Sequence, residues 1–319
     1  MYFFFNKIKK IKQNKLQLYD FMKWSNHALI ISAILIILSI IIILSKGLNW
    51  GIDFTGGTII ELHFKNPIHE INNTRLLIQK LYSSKIEINL INNNHNLTIK
   101  LSKNQYIHKN NQIIEPKLIN LIQKLYKQKF TIKKIEYIGP NIGKNLILSG
   151  IATIMITLIG IWIYVGLRFE WHLAGSTIIS LLHDLIITIG IISIFSIEID
   201  LSIISSLMSI ICYSLNDSIV ISDRIRENCY KLNNYNMYKI INLSINQTFK
   251  RSIITSLTVL TMIFILYIFG GIILHNFSLI MFIGVIFGTI SSVYIVSSIA
   301  LKIGMNVNHM IVIDYKNNN

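Results

Sequence analysis

Residues 24–45 read WSNHALIISAILIILSIIIILS, a run without one charged side chain. The hydrocarbon core of a bilayer takes about 20 mostly apolar residues in helical form. The run is therefore read as a first transmembrane helix. It is too long, and lacks the small-residue cleavage site, to be a removable secretory signal. Outward from it the pattern recurs. Residues 145–167 carry no charge, 172–197 carry one internal acid, Asp184, and 201–222 carry one, Asp217. Residues 252–301 form one uncharged block too long for a single helix. Gly270-Gly271 and the polar pair His275-Asn276 divide it into 252–269 and 277–301. The fold class is an α-helical integral membrane protein with six spans, and an even number leaves both termini on one side.

Composition agrees. Of 319 residues 52% are hydrophobic and only 14% charged, against roughly a quarter charged in soluble domains. This argues against a soluble globular enzyme and excludes disorder, which needs low hydrophobicity and high charge. The net charge of +15 suits either nucleic acid or an anionic membrane surface. In a chain this apolar the partner is the lipid bilayer, not nucleic acid. Ile, Asn and Lys are over-used throughout, so lysine count alone identifies no partner. Cys212 and Cys229 define neither a disulfide framework nor a metal site, and no cofactor motif is present.

Lys and Arg in short loops set orientation. The tail 1–23 holds Lys7, Lys9, Lys10, Lys12, Lys15 and Lys23, and the loop 223–251 holds Arg224, Arg226, Lys231, Lys239, Lys250 and Arg251. The loops 198–200 and 270–276 hold none. The tails 1–23 and 302–319 are thus expected to be cytoplasmic and residues 46–144 to lie outside the cytoplasm. That segment alternates like strands over 58–64, 86–91, 96–101 and 131–138. It has helical periodicity over 71–82, where Ile71, Leu77, Ile78 and Leu81 share a face, and over 115–129. Residues 92–95 read as a hairpin turn. The order β-α-β-β-α-β is that of the ferredoxin-like fold.

An acid within a span costs about 2.5–3.5 kcal/mol on insertion scales and is a functional candidate by default. Asp217 lies six residues before Asp223, about 9 Å inside the cytoplasmic end at 1.5 Å per residue. Arg251 begins the next span at a compatible depth. A carboxylate balanced between burial and a nearby arginine can take up and release a proton; a static ion pair fixing helix packing is the alternative. Asp184, deeper and beside His183, is either a relay station or a hydrogen-bonded structural acid. Gly51, Asp53, Gly56 and Gly57 follow the first span and read as a forced turn, since no Lys-Ser/Thr follows to make a phosphate loop. Gly284 and Gly288 have the small-xxx-small spacing of helix contacts.

Several of these segments together resemble the SecD/SecF family of bacterial protein-export membrane proteins, on its SecF side. They are GLNWGIDFTGGT (47–58), VGLRFEW (165–171), His183-Asp184, IEIDL (197–201), YSLNDSIVISDRIREN (213–228), RSIITS (251–256), LYIFGG (266–271) and LKIGM (301–305). Cys212, where glycine is common, and the Asn-rich hairpin depart from the pattern. The resemblance implies a partner, SecD, with six spans of its own, and likeness to resistance-nodulation-division transporters. It implies work with the SecYEG channel, and with YajC as a further candidate, on unfolded secretory polypeptides. The energy source would be the proton-motive force, with Asp217 and Arg251 in the proton path, and Asp184 and His183 as further candidates. A non-conducting scaffold and a small-molecule or lipid exporter are the competing readings; no enzyme constellation is present.

Overall fold

The computed structural model describes residues 19–68, 86–91, 95–102, 116–126, 128–232 and 235–307. A short 3-10 turn, Phe21–Trp24, leads into α1 (Ser25–Lys46), and a single helical turn, α2 (Ile52–Thr55), precedes the outer domain. That domain contains β1 (Gly57–Phe64), β2 (Ile86–Ile91), β3 (Asn96–Ser102), α3 (Pro116–Tyr126) and β4 (Phe130–Ile138). The long helices follow: α4 (Pro140–Arg168), α5 (Trp171–Phe195), α6 (Leu201–Lys231), α7 (Met237–Phe269) and α8 (Gly271–Ser291). A π turn, Ser292–Val296, and α9 (Ser297–Lys302) complete the last span. Among the described residues six helical stretches are long and apolar enough to cross a membrane, so the expected fold class stands.

The strands lie in the order β2-β3-β1-β4, each antiparallel to its neighbours. Strand side chains alternate between faces, so Ile60, Leu62 and Phe64 of β1 point the same way, and all three are buried. Ile99 sits opposite Ile60 and Leu97 opposite Leu62, which carries the apolar face across the sheet. Ile122 of α3 closes over it. This strand order is the ferredoxin-like one. The expected helix 71–82 lies outside the described residues, as do residues 92–94 of the hairpin turn.

In the bundle, α5, α6 and α8 are central and α1, α4 and α7 peripheral. Two expectations need correction. The expected loop 223–251 is mostly helix, because α6 runs on to Lys231 and α7 starts at Met237. The charged residues there leave the apolar layer without ending the helices. Arg224 and Lys231 both pair with Glu227 at helical spacing, and Asn228 donates to Ser244 Oγ (2.8 Å) and Gln247 Oε1 (2.9 Å) to close the hairpin. The polar pair His275-Asn276 does not break the last block either. The turn is made at Gly270-Gly271, where Gly271 adopts φ +69°, a left-handed conformation that glycine takes without a Cβ clash. His275 then stacks on Tyr267 at 4.3 Å between ring centroids.

Candidate functional site

The centre of the bundle is polar. On α5, Ser176, Thr177, Ser180, His183, Asp184 and Thr188 are all buried. Several of these hydroxyls turn back on their own helix: Thr177 Oγ1 donates to Leu173 O and Thr188 Oγ1 to Asp184 O. That satisfies a polar group without a partner helix. Asp184 instead reaches across. Its Oδ1 meets His183 Nδ1 at 2.9 Å, and its Oδ2 accepts from Ser214 Oγ of α6 and Ser291 Oγ of α8, both at 2.7 Å. His183 Nε2 is buried with no hydrogen-bond partner.

Asp217 lies three residues after Ser214, hence on the same side of α6. It is 4% exposed, and its Oδ2 is buried without a hydrogen-bond partner. Ser252 of α7 and Ser292 of the π turn flank it. Ser252 Oγ is also buried and unpartnered, and Ser292 Oγ donates to Thr289 O at 3.0 Å. A buried, unpaired polar atom is costly, so this cluster has a physical reason to acquire a proton or a new partner.

Arg251 does not form the expected ion pair. Its side chain is exposed while Ser252 beside it is buried, since successive helical residues point in different directions. The guanidinium acts on Asp217 electrostatically, across a gap. Remaining at the surface spares it the desolvation penalty of a buried pair.

Sequence reading missed the hydroxyls around these acids. Tyr213 OH donates to Ser256 Oγ (2.8 Å), which meets Thr289 Oγ1 at 3.0 Å, linking α6, α7 and α8. The available signal was spacing: Ser214 precedes Asp217 by three residues, and Ser291 follows Gly284 and Gly288 at seven and three.

The glycine-rich segment lies at the N-terminal end of α6. Gly51 N donates to Ile199 O and Ile199 N to Asn49 O, both at 2.8 Å. A Cβ on Gly51 would stand 2.7 Å from Ile199 O, and one on Gly57 2.3 Å from Leu101 O; both positions need a bare backbone. Gly56 ends the short turn of α2. Asp53 Oδ2 accepts from Leu201 N at 3.1 Å, Asp200 caps α6 through Ile203 N, and Lys100 of β3 pairs with Glu198 at 3.4 Å. Burial pushes the Asp200 carboxyl above the ordinary carboxylate range. Asp53 and Glu198 push the same way, while the Ile203 amide and Lys100 oppose them. The outer domain is thus pinned to the turn from which α6 descends to Asp217. Among the described residues no cluster of three or more His, Cys, Asp or Glu could hold a metal ion.

Residues 117–306 match the family described as protein export membrane protein SecD/SecF, C-terminal, and residues 41–68 match the SecD/SecF GG motif. The chain is 44% identical to the protein translocase subunit SecF of Escherichia coli O157:H7, over 92% of this chain and 91% of that one. It is 38% identical to the Haemophilus influenzae subunit, over 92% and 88%. Among solved structures, SecDF of Thermus thermophilus, described as a translocon-associated membrane protein, superposes with a TM-score of 0.74 at 31% identity. The match covers 89% of this chain but only 38% of that longer one. With its glycine segment inside one family match, its last five spans inside the other, and 44% identity to a SecF subunit over 92% of its length, the chain belongs to the SecD/SecF protein-export family, on the SecF side.

Proposed function

We propose that this chain is an accessory subunit of the Sec translocase that, paired with SecD, uses the proton-motive force to promote polypeptide translocation across the inner membrane. The relatives' role as protein translocase subunits supports the export reading. The observation that carries the coupling is Asp217, a carboxylate with a buried, unpartnered oxygen flanked by the hydroxyl residues Ser252 of α7 and Ser292 of the π turn.

In this reading the tails are cytoplasmic and the ferredoxin-like domain faces the periplasm, where it meets unfolded polypeptide emerging from SecYEG. Asp217 takes up a proton from the periplasmic side. Neutralised, it no longer feels Arg251, and α6, α7 and the π turn repack around it. Because Leu201 at the start of α6 is tied to Asp53, and Ile199 just before it to Gly51 and Asn49, the repacking pulls on the base of the outer domain. Release of the proton to the cytoplasm resets the bundle. One charge crossing 100 mV supplies about 2.3 kcal/mol, enough to bias two orientations whose free energies are close.

The test replaces the native copy with Asp217→Asn and follows unprocessed secretory precursor by pulse-chase. Abundance and co-purification with SecD are measured in the same membranes. Precursor accumulation with normal assembly is expected. Normal export kinetics would contradict the coupling role and leave Asp217 a packing residue.

A further inference from the structure

The bundle interior holds two acids, and their surroundings differ. Asp184 is 1% exposed with both carboxylate oxygens engaged: one by the imidazole of His183, the other by two serine hydroxyls. Asp217 keeps an oxygen free. A proton carrier needs an oxygen open to a donor and must change partners when it loads. A proton on Oδ2 of Asp184 would compete with the serines that join α5 to α6 and α8, and one on Oδ1 would have to share that oxygen with His183 Nδ1.

The two serines tie Asp184 to the site. Ser214 stands one turn before Asp217 on α6, and Ser291 immediately precedes Ser292, which flanks Asp217. One oxygen of Asp184 therefore fixes the depth of α6 and the register of α8 at the same level. The neighbouring packing leaves little freedom to slide. A Cβ on Gly288 would stand 3.2 Å from Ser214 Cβ and 3.7 Å from Asp184 Oδ2, and one on Gly284 would stand 2.2 Å from Ile210 Cδ1. The bare glycine faces let α8 approach α6 closely enough for Ser291 to reach the carboxylate. The π turn then starts at Ser292, directly after the tie point. Such turns interrupt regular helices mostly as single turns, often at functional sites. Here the regular α8 is locked to Asp184, and the irregular segment begins with the residue that faces Asp217.

We propose that Asp184 is a positioning residue, not a station on the ion path: it gathers Ser214 and Ser291 so that α6 and the π turn present Asp217 and Ser292 to each other. The proposal rests on the reading of Asp217 as the coupling group.

Asparagine separates the two roles. Its carbonyl oxygen can accept both serine hydroxyls and its amide can meet His183, but it cannot carry a proton as a carboxylate does. Asp184→Asn, Asp184→Ala, the double variant Ser214→Ala/Ser291→Ala and Asp217→Asn are compared in cells lacking the native copy. Precursor half-time, abundance and co-purification with SecD are read in each. Asp184→Asn is expected to keep the precursor half-time within about twofold of the unmutated chain, since its carbonyl leaves neither serine hydroxyl unsatisfied and interhelical hydrogen bonds average only about 0.6 kcal/mol. Asp184→Ala and the serine pair are expected to lengthen it by about five- to tenfold at normal abundance. Rescue by asparagine of what alanine loses is the signature of positioning. The proposal is overturned if Asp184→Asn stalls export as Asp217→Asn does while assembling normally, which would make Asp184 a carrier. It is equally overturned if the serine pair exports at the unmutated rate. Should Asp184→Ala fail to accumulate, the serine pair decides, since it leaves the carboxylate in place. Normal export by Asp217→Asn would instead sink the coupling reading, whatever the outcome at Asp184.

Discussion

The chain has two interiors built on opposite rules. The outer domain buries Ile60, Leu62, Phe64, Ile88, Leu97, Ile99 and Ile122, and Asn96 is the one buried polar residue among its described residues. The bundle buries Asp184, Asp217, His183 and a long series of serines and threonines, while Ile30, Ile31, Leu44, Leu148, Ile156 and Met262 stand exposed. In water, apolar surface is driven inward. Between helices in lipid that drive is absent, because the surroundings are as apolar as the side chains, and association depends on small residues and interhelical hydrogen bonds. The polar groups that would destabilise the outer domain are therefore affordable in the bundle, and they are what an ion could use.

The largest expected effect breaks the apolar side of this contrast. Phe64→Ala should cost the outer domain about 3–5 kcal/mol and expose it to limited proteolysis in intact membranes, with the spans still protected. Equal protection of the domain would mean its core is not the sheet face described. Next comes Gly284→Leu, where a Cβ would already meet Ile210 Cδ1 at 2.2 Å. Overpacking of this kind typically costs about 1–3 kcal/mol, and thermal unfolding in detergent should register it as a lower midpoint, whereas Gly160→Leu, in open space, should not. A smaller loss, about 0.6 kcal/mol, is expected from Tyr213→Phe, which removes the hydroxyl that donates from α6 to Ser256 Oγ of α7. A cost of several kcal/mol would mean the bundle depends on single hydroxyls far more than its packing suggests.

The smallest effect concerns the seam between the two regions. The folded state holds the Asp200 proton more tightly than the unfolded chain does. The contribution is full below the ordinary value of 3.8 and is lost as pH rises through the elevated native value. Hydrogen exchange at the amides of Gly51 and Ile199, corrected for intrinsic rates, should quicken across that window. Asp200→Asn, which can still cap α6, should flatten the profile; an unchanged slope would assign it to another group.

Much of this was readable from the sequence for a physical reason. A span must be free of charge over a bilayer's thickness, so runs such as 24–45 announce themselves, and an acid inside one stands out as Asp184 and Asp217 did. Alternation gave the strands, because one face of the outer sheet is dry. The ends of α6 and α7 were not readable that way: helices that leave the membrane carry charges resembling a loop, and only the pairing of Glu227 with Arg224 and Lys231 reveals continued helix. Nor did sequence separate the serines that hold Asp184 from those that merely bond their own helix, since both look alike in a serine-rich span. The expected Asp217–Arg251 contact failed on direction. Depth placed the two residues at one level, but rotation about α7 turned Ser252 inward and Arg251 outward.

The central claim, that the polar interior couples an ion gradient to export, is tested most directly in inverted membrane vesicles. Translocation of a secretory precursor would be timed with and without an imposed proton gradient, using the unmutated chain and Asp217→Asn at matched abundance. The account predicts that the gradient accelerates translocation with the unmutated chain and that Asp217→Asn vesicles lose that part of the acceleration. Undiminished acceleration with Asp217→Asn would contradict it.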